Sequence, residues 1–328
     1  MQTNTAVLLR TAVIFLMFTS FPGCLLLKII AVGLYSEFLM RYKMKIFTKT
    51  REVKEFKAAV TAGPLGFVPT MGALHNGHLS LVKEARKRCG FVGVSIFVNP
   101  TQFNDPSDLE RYPRTPDDDL KMLSSVLEEN DFVFMPAVSE MYPTPDTRVF
   151  HFGNIEKVME GPNRPGHFNG VAQVVSTLFD IVKPDMAFFG LKDFQQVAVI
   201  KDMVRQLKLN VEIVPCPIVR EADGLAMSSR NTLLLPEHRR VAGEIYKTLV
   251  HASSMAPLSE ITDIKKYVTE HIDSLSGFKT EYFEIVDSES LAPLMQRKDV
   301  LKDKKYFGCI ALHAGAVRLI DNIELKFS

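Results

Sequence analysis

The chain is 328 residues long, with 46% hydrophobic and 23% charged residues, a globular composition that excludes collagen-like, low-complexity and strongly disordered architectures. Lys and Arg number 39 against 38 Asp and Glu, a net charge of +1, too balanced for a protein that coats nucleic acid or an anionic bilayer with basic surface. Four cysteines, Cys24, Cys89, Cys216 and Cys309, lie far apart with no C-x-x-C spacing, which argues against a structural zinc site and a disulfide scaffold and for a reducing compartment.

Residues 1–43 hold Arg10, Lys28, Arg41 and Lys43 against Glu37 alone, and an uncharged, mostly apolar stretch interrupted by Pro22-Gly23 runs between Arg10 and Lys28. Such a segment reads as a marginal membrane span, as a secretory signal, or as the upstream extension of an over-called frame whose working start is Met44. From Leu65 short apolar runs alternate with amphipathic helical stretches, the period switch of βαβ units. The fold class is α/β: a Rossmann-like parallel sheet over 44–218 with helices on both faces. Strands are expected at Leu65–Pro69, Phe91–Val98, Asp131–Met135, Met186–Phe189 and Val211–Pro215, and helices at Leu79–Cys89 and Val171–Val182. The run Thr115-Pro116-Asp117-Asp118-Asp119 opens a third helix. Thr at the N-cap, Pro at the first position and acids in the first turn account for the three aspartates without a metal. Beyond Val219 polar helices (Glu237–His251, Ile261–Leu275) precede strand-like runs at Tyr282–Val286, Gly308–Leu312 and Val317–Leu319, a smaller C-terminal α+β domain over 219–328.

The chemistry-bearing residues follow the strands. The first runs into Met71-Gly72-Ala73-Leu74-His75-Asn76-Gly77-His78 and then a helix. A glycine turn at a helix N-terminus is an anion site, and two imidazoles three apart add donors. The second strand ends at Asn99-Pro100-Thr101-Gln102, placing an amide at the sheet edge where ligands bind in open α/β sheets. Gly161–His167 carries Arg164 in a Gly/Pro-rich turn before a helix. Gly190-Leu191-Lys192-Asp193 again offers a strand, a glycine and a cation, suited to phosphate and ribose, and Gln196 follows. The last strand leads to Val219 and then Met227-Ser228-Ser229-Arg230, a donor cluster suited to polyphosphate.

His75-Asn76-Gly77-His78 with Met227-Ser228-Ser229-Arg230 resembles the paired signatures of the nucleotidylyltransferase and class I aminoacyl-tRNA synthetase superfamily. The strings PTMGALHNGH, FVNPTQF, YPRTPDDDL, GPNRPGHFNGV, GLKDFQQ, VREADGLAMSSRN and RLIDN, in order from about residue 44 to the C-terminus, resemble the pantothenate synthetase (pantoate–β-alanine ligase) family. The resemblance implies a cytoplasmic homodimer, with membrane association left open by residues 1–43. It would join pantoate to β-alanine through a pantoyl adenylate and release AMP and pyrophosphate, a step toward coenzyme A. ATP is the co-substrate, Mg²⁺ travels on its phosphates, and no protein metal ligand or nucleic acid is implied. Carried over, Met71–His78, Gly190–Asp193, Val219 and Met227–Arg230 bind ATP, and Gln102, Gln196 and Arg164 bind pantoate and β-alanine. The catalytic set is His78 as proton donor, His75, Lys192, Ser228, Ser229 and Arg230, and the C-terminal domain is a lid. Leu191 departs from the polar residue expected there, and residues 1–43 match nothing in the family. Another adenylyl-transferring enzyme of the superfamily, or a membrane-tethered nucleotide sensor, would share the histidine turn without needing both glutamines.

Overall fold

Runs such as Phe91-Val92-Gly93-Val94 and Phe132-Val133-Phe134 show no polar alternation, and a strand of that kind is stable only when both its faces are covered. The computed structural model describes residues 42–60 and 63–327, so the expectations for the N-terminal apolar segment fall on residues outside the described ones. In chain order the first unit comprises β1 (Lys45–Phe47), α1 (Thr50–Ala59), β2 (Leu65–Thr70), α2 (Asn76–Arg88), β3 (Phe91–Ile96), α3 (Pro106–Arg111), α4 (Pro116–Leu123), β4 (Phe132–Phe134), α5 (Val138–Met141), α6 (Glu160–Asn163), α7 (His167–Val182), β5 (Met186–Gly190), α8 (Phe194–Gln206) and β6 (Glu212–Cys216). The six strands pair in parallel in the order β1-β4-β3-β2-β5-β6. Neighbouring residues on one strand enter opposite cores. Phe67, Phe132 and Phe189 pack with α1, α7 and α8, whereas Val68, Val133 and Phe188 pack with α2 and α4, as the two-residue period of a strand requires. β1, only three residues long with a half-exposed pattern, was not expected from the sequence.

The chain then builds α9 (Pro236–Val241), α10 (Glu244–Met255), α11 (Ile261–Asp273) and an antiparallel sheet of β7 (Phe278–Asp287), β8 (Tyr306–Ala314) and β9 (Val317–Leu325). The single helix expected over Glu237–His251 is two. It breaks at Ala242-Gly243, where a Cβ on Gly243 would lie 2.6 Å from the carbonyl of Asp223. This unit has its own apolar core, from Leu225 to Leu325.

The two units meet through an apolar seam and a set of polar ties. Met159 packs with Val286, Leu291 and Cys309, and the rings of Phe194 and Phe307 stack at 4.5 Å. Asn322 Nδ2 donates across to the carbonyls of Leu191 (2.8 Å) and Lys192 (3.1 Å), and the adjacent Asp321 is held within the C-terminal unit by a two-pronged pair with Arg220 (2.6 and 3.0 Å). Among the described residues no helix is long and apolar enough to cross a membrane.

Candidate active site

In this sheet the order in which strands are added reverses between the parallel neighbours β2 and β5, so the helices that follow these strands leave on opposite sides and a crevice opens at their carboxyl ends. After Thr70 the backbone takes two left-handed steps, Gly72 (φ +77°) and Ala73 (φ +48°). The turn is held from below by Asp119, whose carboxylate accepts from the Ala73 (3.0 Å) and Leu74 (2.7 Å) amides. This corrects the reading of the three aspartates as capping alone. Thr115 makes no side-chain cap and instead donates its hydroxyl to Asp119 (3.1 Å), because Asp119 is buried beneath the turn.

The turn delivers His75 and His78 to the start of α2 with their rings 4.0 Å apart. His75 Nδ1 accepts from the Gly77 amide (3.1 Å), and His78 Nδ1 accepts from the His75 amide (3.3 Å). An imidazole nitrogen that accepts carries no proton, so a neutral ring must carry it on Nε2. Burial, helped by the Lys192 charge and opposed by Asp193, lowers His75 to about 4. Burial first, then the neighbouring His75 and Lys192, hold His78 well below the usual histidine range. Two neutral Nε2–H donors therefore serve the crevice.

A cavity of about 200 Å³ is lined by Met71, His75, Gly77, His78, Gln102, Gly190, Lys192, Asp193, Gln196, Val219 and Met227 through Arg230. Its floor is apolar, with Phe97, Val174, Val175 and Leu178. A broader cleft of about 640 Å³ between the two units shares Lys192, Asp193, Ser228 and Arg230 with it and adds Arg164, Arg111 and Arg318. A narrow cavity of about 80 Å³ touches both Gln102 and Gln196 and includes Arg164. The structure thus brings together both histidines, both glutamines, Lys192 and the Ser228–Arg230 cluster. Gly72, Ala73, Leu74 and Leu191 shape the backbone without lining these cavities, and Asn76 is exposed on the outer side of α2.

Each polar group is seated. Gln102 is buried, its Oε1 accepting from Asn99 Nδ2 (3.2 Å), and a Cβ on Gly170 of α7 would come within 2.5 Å of the Thr101 carbonyl. Only glycine lets the helix approach this closely. Ser229 Oγ donates to the Ala73 carbonyl (2.9 Å), fastening the 217–231 loop over the histidine turn. Arg230 pairs with Asp108 of α3 (2.8 Å) and lies 5.5 Å from the Tyr112 ring. Gln195 turns away, donating to the Ile155 and Val158 carbonyls (2.6 and 2.8 Å), which leaves Gln196 as the glutamine of α8 at the cavity. Sequence reading missed Asp119, Tyr112, Glu160 and the C-terminal-unit residues Arg318, Asp321 and Asn322. The only signal for the last three was the string RLIDN, quoted without a role.

Comparison with known proteins agrees with this geometry. The family model for pantoate-beta-alanine ligase matches residues 45–324. The chain is 51% identical over 286 residues to the pantothenate synthetase of Porphyromonas gingivalis, covering 86% of this chain and 100% of that protein. It is 50% identical to that of Bacteroides thetaiotaomicron, covering 84% and 97%. The crystal structure of pantothenate synthetase from Thermus thermophilus superposes with a TM-score of 0.79 at 40% identity, covering 86% of this chain and 99% of that one. The pantoate-beta-alanine ligase of Francisella tularensis, solved with beta-gamma ATP and beta-alanine, gives 0.71 at 35%, covering 85% and 97%. With the histidine turn, paired glutamines and Ser-Ser-Arg loop gathered at one crevice, the chain belongs to the pantoate–β-alanine ligase family.

Proposed function

We propose that this crevice activates pantoate as an acyl adenylate and then passes it to β-alanine, and that the residues divide between the two half-reactions as follows. The chain is an ATP-dependent ligase, and the observation that carries the assignment of roles is the single 200 Å³ cavity lined on one side by His75, His78, Lys192 and Ser228–Arg230 and on the other by Gln102, Gln196 and an apolar floor. A carboxylate is a poor acyl donor to an amine. A pantoate carboxylate oxygen therefore attacks the α-phosphorus of ATP, the bond to the bridging oxygen breaks, and pyrophosphate leaves with the electron pair.

Negative charge grows on the phosphates during attack, where the α2 N-terminus, the two Nε2–H groups and Lys192 provide fixed donors. His78, described above as a proton donor, acts by hydrogen bonding. Gln102 and Gln196 hold pantoate through its hydroxyl and carboxylate without neutralising the attacking oxygen. The Val174, Val175 and Leu178 floor suits its methyl groups. The β-alanine nitrogen, after losing a proton to solvent, attacks the acyl carbon; it then gives up a second proton to solvent, the C–O bond to AMP breaks, and AMP leaves with the electron pair. Arg164, at the narrow cavity, suits the β-alanine carboxylate.

The carboxylates around the cleft are committed, Asp108 to Arg230, Asp321 to Arg220 and Asp119 to the turn. This donor set fits Mg²⁺ carried in on ATP phosphates, where it would shield their charge. The same reading makes 44–218 the substrate-binding domain, 219–328 a lid, and the enzyme a cytoplasmic homodimer. The buried free thiols Cys89, Cys216 and Cys309 suit that compartment, and sedimentation equilibrium measures the assembly. ATP–pyrophosphate exchange tests the mechanism. Exchange should require pantoate and not β-alanine, while AMP release should require both; exchange without pantoate would overturn the scheme.

A further inference from the structure

The charged cluster that joins the two units sets Arg164 and Arg318 against Glu160 and Glu281; Arg318 Nε donates to Glu281 (2.7 Å), and Glu160 is the carboxylate that both guanidiniums share. Glu160 of α6 is 7% exposed. Its Oε1 accepts from Tyr282 Oη (2.7 Å) and Arg318 (2.7 Å), both from the three-stranded sheet. Its Oε2 accepts from the second nitrogen of Arg318 (2.9 Å) and, more distantly, from Arg164 (3.5 Å). The same Arg164 nitrogen lies 3.0 Å from His167 Nε2, and His167 Nδ1 lies 2.8 Å from the Gln102 carbonyl.

A guanidinium has donors only, so His167 Nε2 must accept. The ring is then neutral with its proton on Nδ1, and Nδ1–H donates to the Gln102 carbonyl. Every link between the sheet unit and the pantoate cavity thus has a fixed donor and a fixed acceptor, with Glu160 accepting from both sides. Burial and the Arg164 charge both hold the ring neutral, bringing His167 to about 4. Arg164 stays against His167 because the Glu160 charge compensates two neighbouring guanidiniums. Without that charge Glu281 still holds Arg318, but Arg164 loses its only ion-pair partner among the described residues, and the broad cleft offers it a way out toward solvent.

We propose that Glu160 is a positioning residue for ligation, tying the docking of the C-terminal sheet unit to the orientation of Gln102 through Arg164 and a single tautomer of His167. This rests on the assignment of Gln102 to pantoate. A closed sheet unit presents Arg318 and Tyr282, fixes Glu160, and so fixes the Gln102 peptide. Pantoate is then gripped best when the units are together.

The test compares Glu160→Gln, Arg318→Gln and Gln102→Ala in the full chain. Pantoate and ATP KM come from AMP release, and ¹⁵N NMR of the His167 ring, assigned with His167→Asn, reports the tautomer. Glu160→Gln and Arg318→Gln should each raise pantoate KM about tenfold with ATP KM within about twofold. Both should move the ring from a pure Nδ1–H pattern toward a mixture, and Glu160→Asp should recover part of the effect. A strut without a relay would lower kcat or raise both KM values together and leave the tautomer unchanged, and that result overturns the proposal. If Gln102→Ala raises pantoate KM and the other two do not, the relay alone falls. If Gln102→Ala leaves pantoate KM unchanged, the Gln102 assignment falls and the relay with it.

Discussion

A histidine that accepts from a main-chain amide has its tautomer set by the fold, and at His75 and His78 this decides the chemistry. In the proposed roles, neutral rings at the sheet edge would hydrogen-bond to phosphate without competing with Lys192 for charge. His78→Ala should slow pantoate-dependent pyrophosphate exchange by on the order of 10²–10³ while leaving the circular dichroism spectrum unchanged; normal exchange would make His78 a cap and nothing more. In the free enzyme His75 should titrate near 4 rather than 6.5. Between those values the unfolded chain binds a proton that the folded chain refuses, so stability falls as pH drops through that window and is unaffected above it. Ring-proton NMR titration checks the value, and a midpoint near 6.5 would refute it. The histidines were legible because both lie within four residues of one turn. Which ring nitrogen carries the proton was not, since it depends on backbone angles that no residue type encodes.

At the level of elements, the strand-and-glycine rhythm showed where each turn leaves the sheet, and five of the six parallel strands appear where the apolar runs place them. Period and composition fail where a long-range partner decides. Asp119 looks like a first-turn acid because its neighbours are acids, yet it supports a turn 46 residues earlier. Asp119→Ala would leave two amides of a left-handed turn without acceptors, at a cost of about 1–3 kcal/mol for each that stays buried. Urea unfolding should show that loss, and calorimetry a weaker ATP affinity with pantoate binding less affected. Gly72→Ala should act on the same turn, because its φ is +77° and the new Cβ would sit 2.9 Å from the Asp119 carboxylate. Equal effects on both substrates would mean that the turn serves the whole cleft rather than the phosphates.

Over the whole molecule, the structure is tied by pairs more than a hundred residues apart. The Arg220–Asp321 tie spans 101 positions and Glu160–Arg318 spans 158, so local pattern could reveal neither, although it did reveal that a second unit exists. Asp321→Ala leaves Arg220 part-buried without its carboxylate, a change expected to cost about 3 kcal/mol and to loosen the Gly190–Asp193 turn held by the adjacent Asn322. Chemical denaturation and ATP titration should move together in this variant; destabilisation with unchanged ATP affinity would confine the tie to stability.

Cys309 sits in the seam between the units, 5% exposed and beside Met159, while Cys89 and Cys216 are enclosed within the parallel-sheet unit. Burial raises the Cys309 thiol far above its usual range, so a labelling reagent can reach a reactive thiolate there only during moments when the seam parts. Its alkylation rate is therefore a clock for separation of the units, with Cys216, 4% exposed inside the parallel-sheet unit, marking the slower events of unfolding. Peptide-resolved mass spectrometry should find Cys309 modified before Cys216, and saturating ATP with pantoate should slow Cys309 while leaving Cys89, at the end of α2, unaffected. The enzyme thus contains its own reporter of how often it opens per turnover.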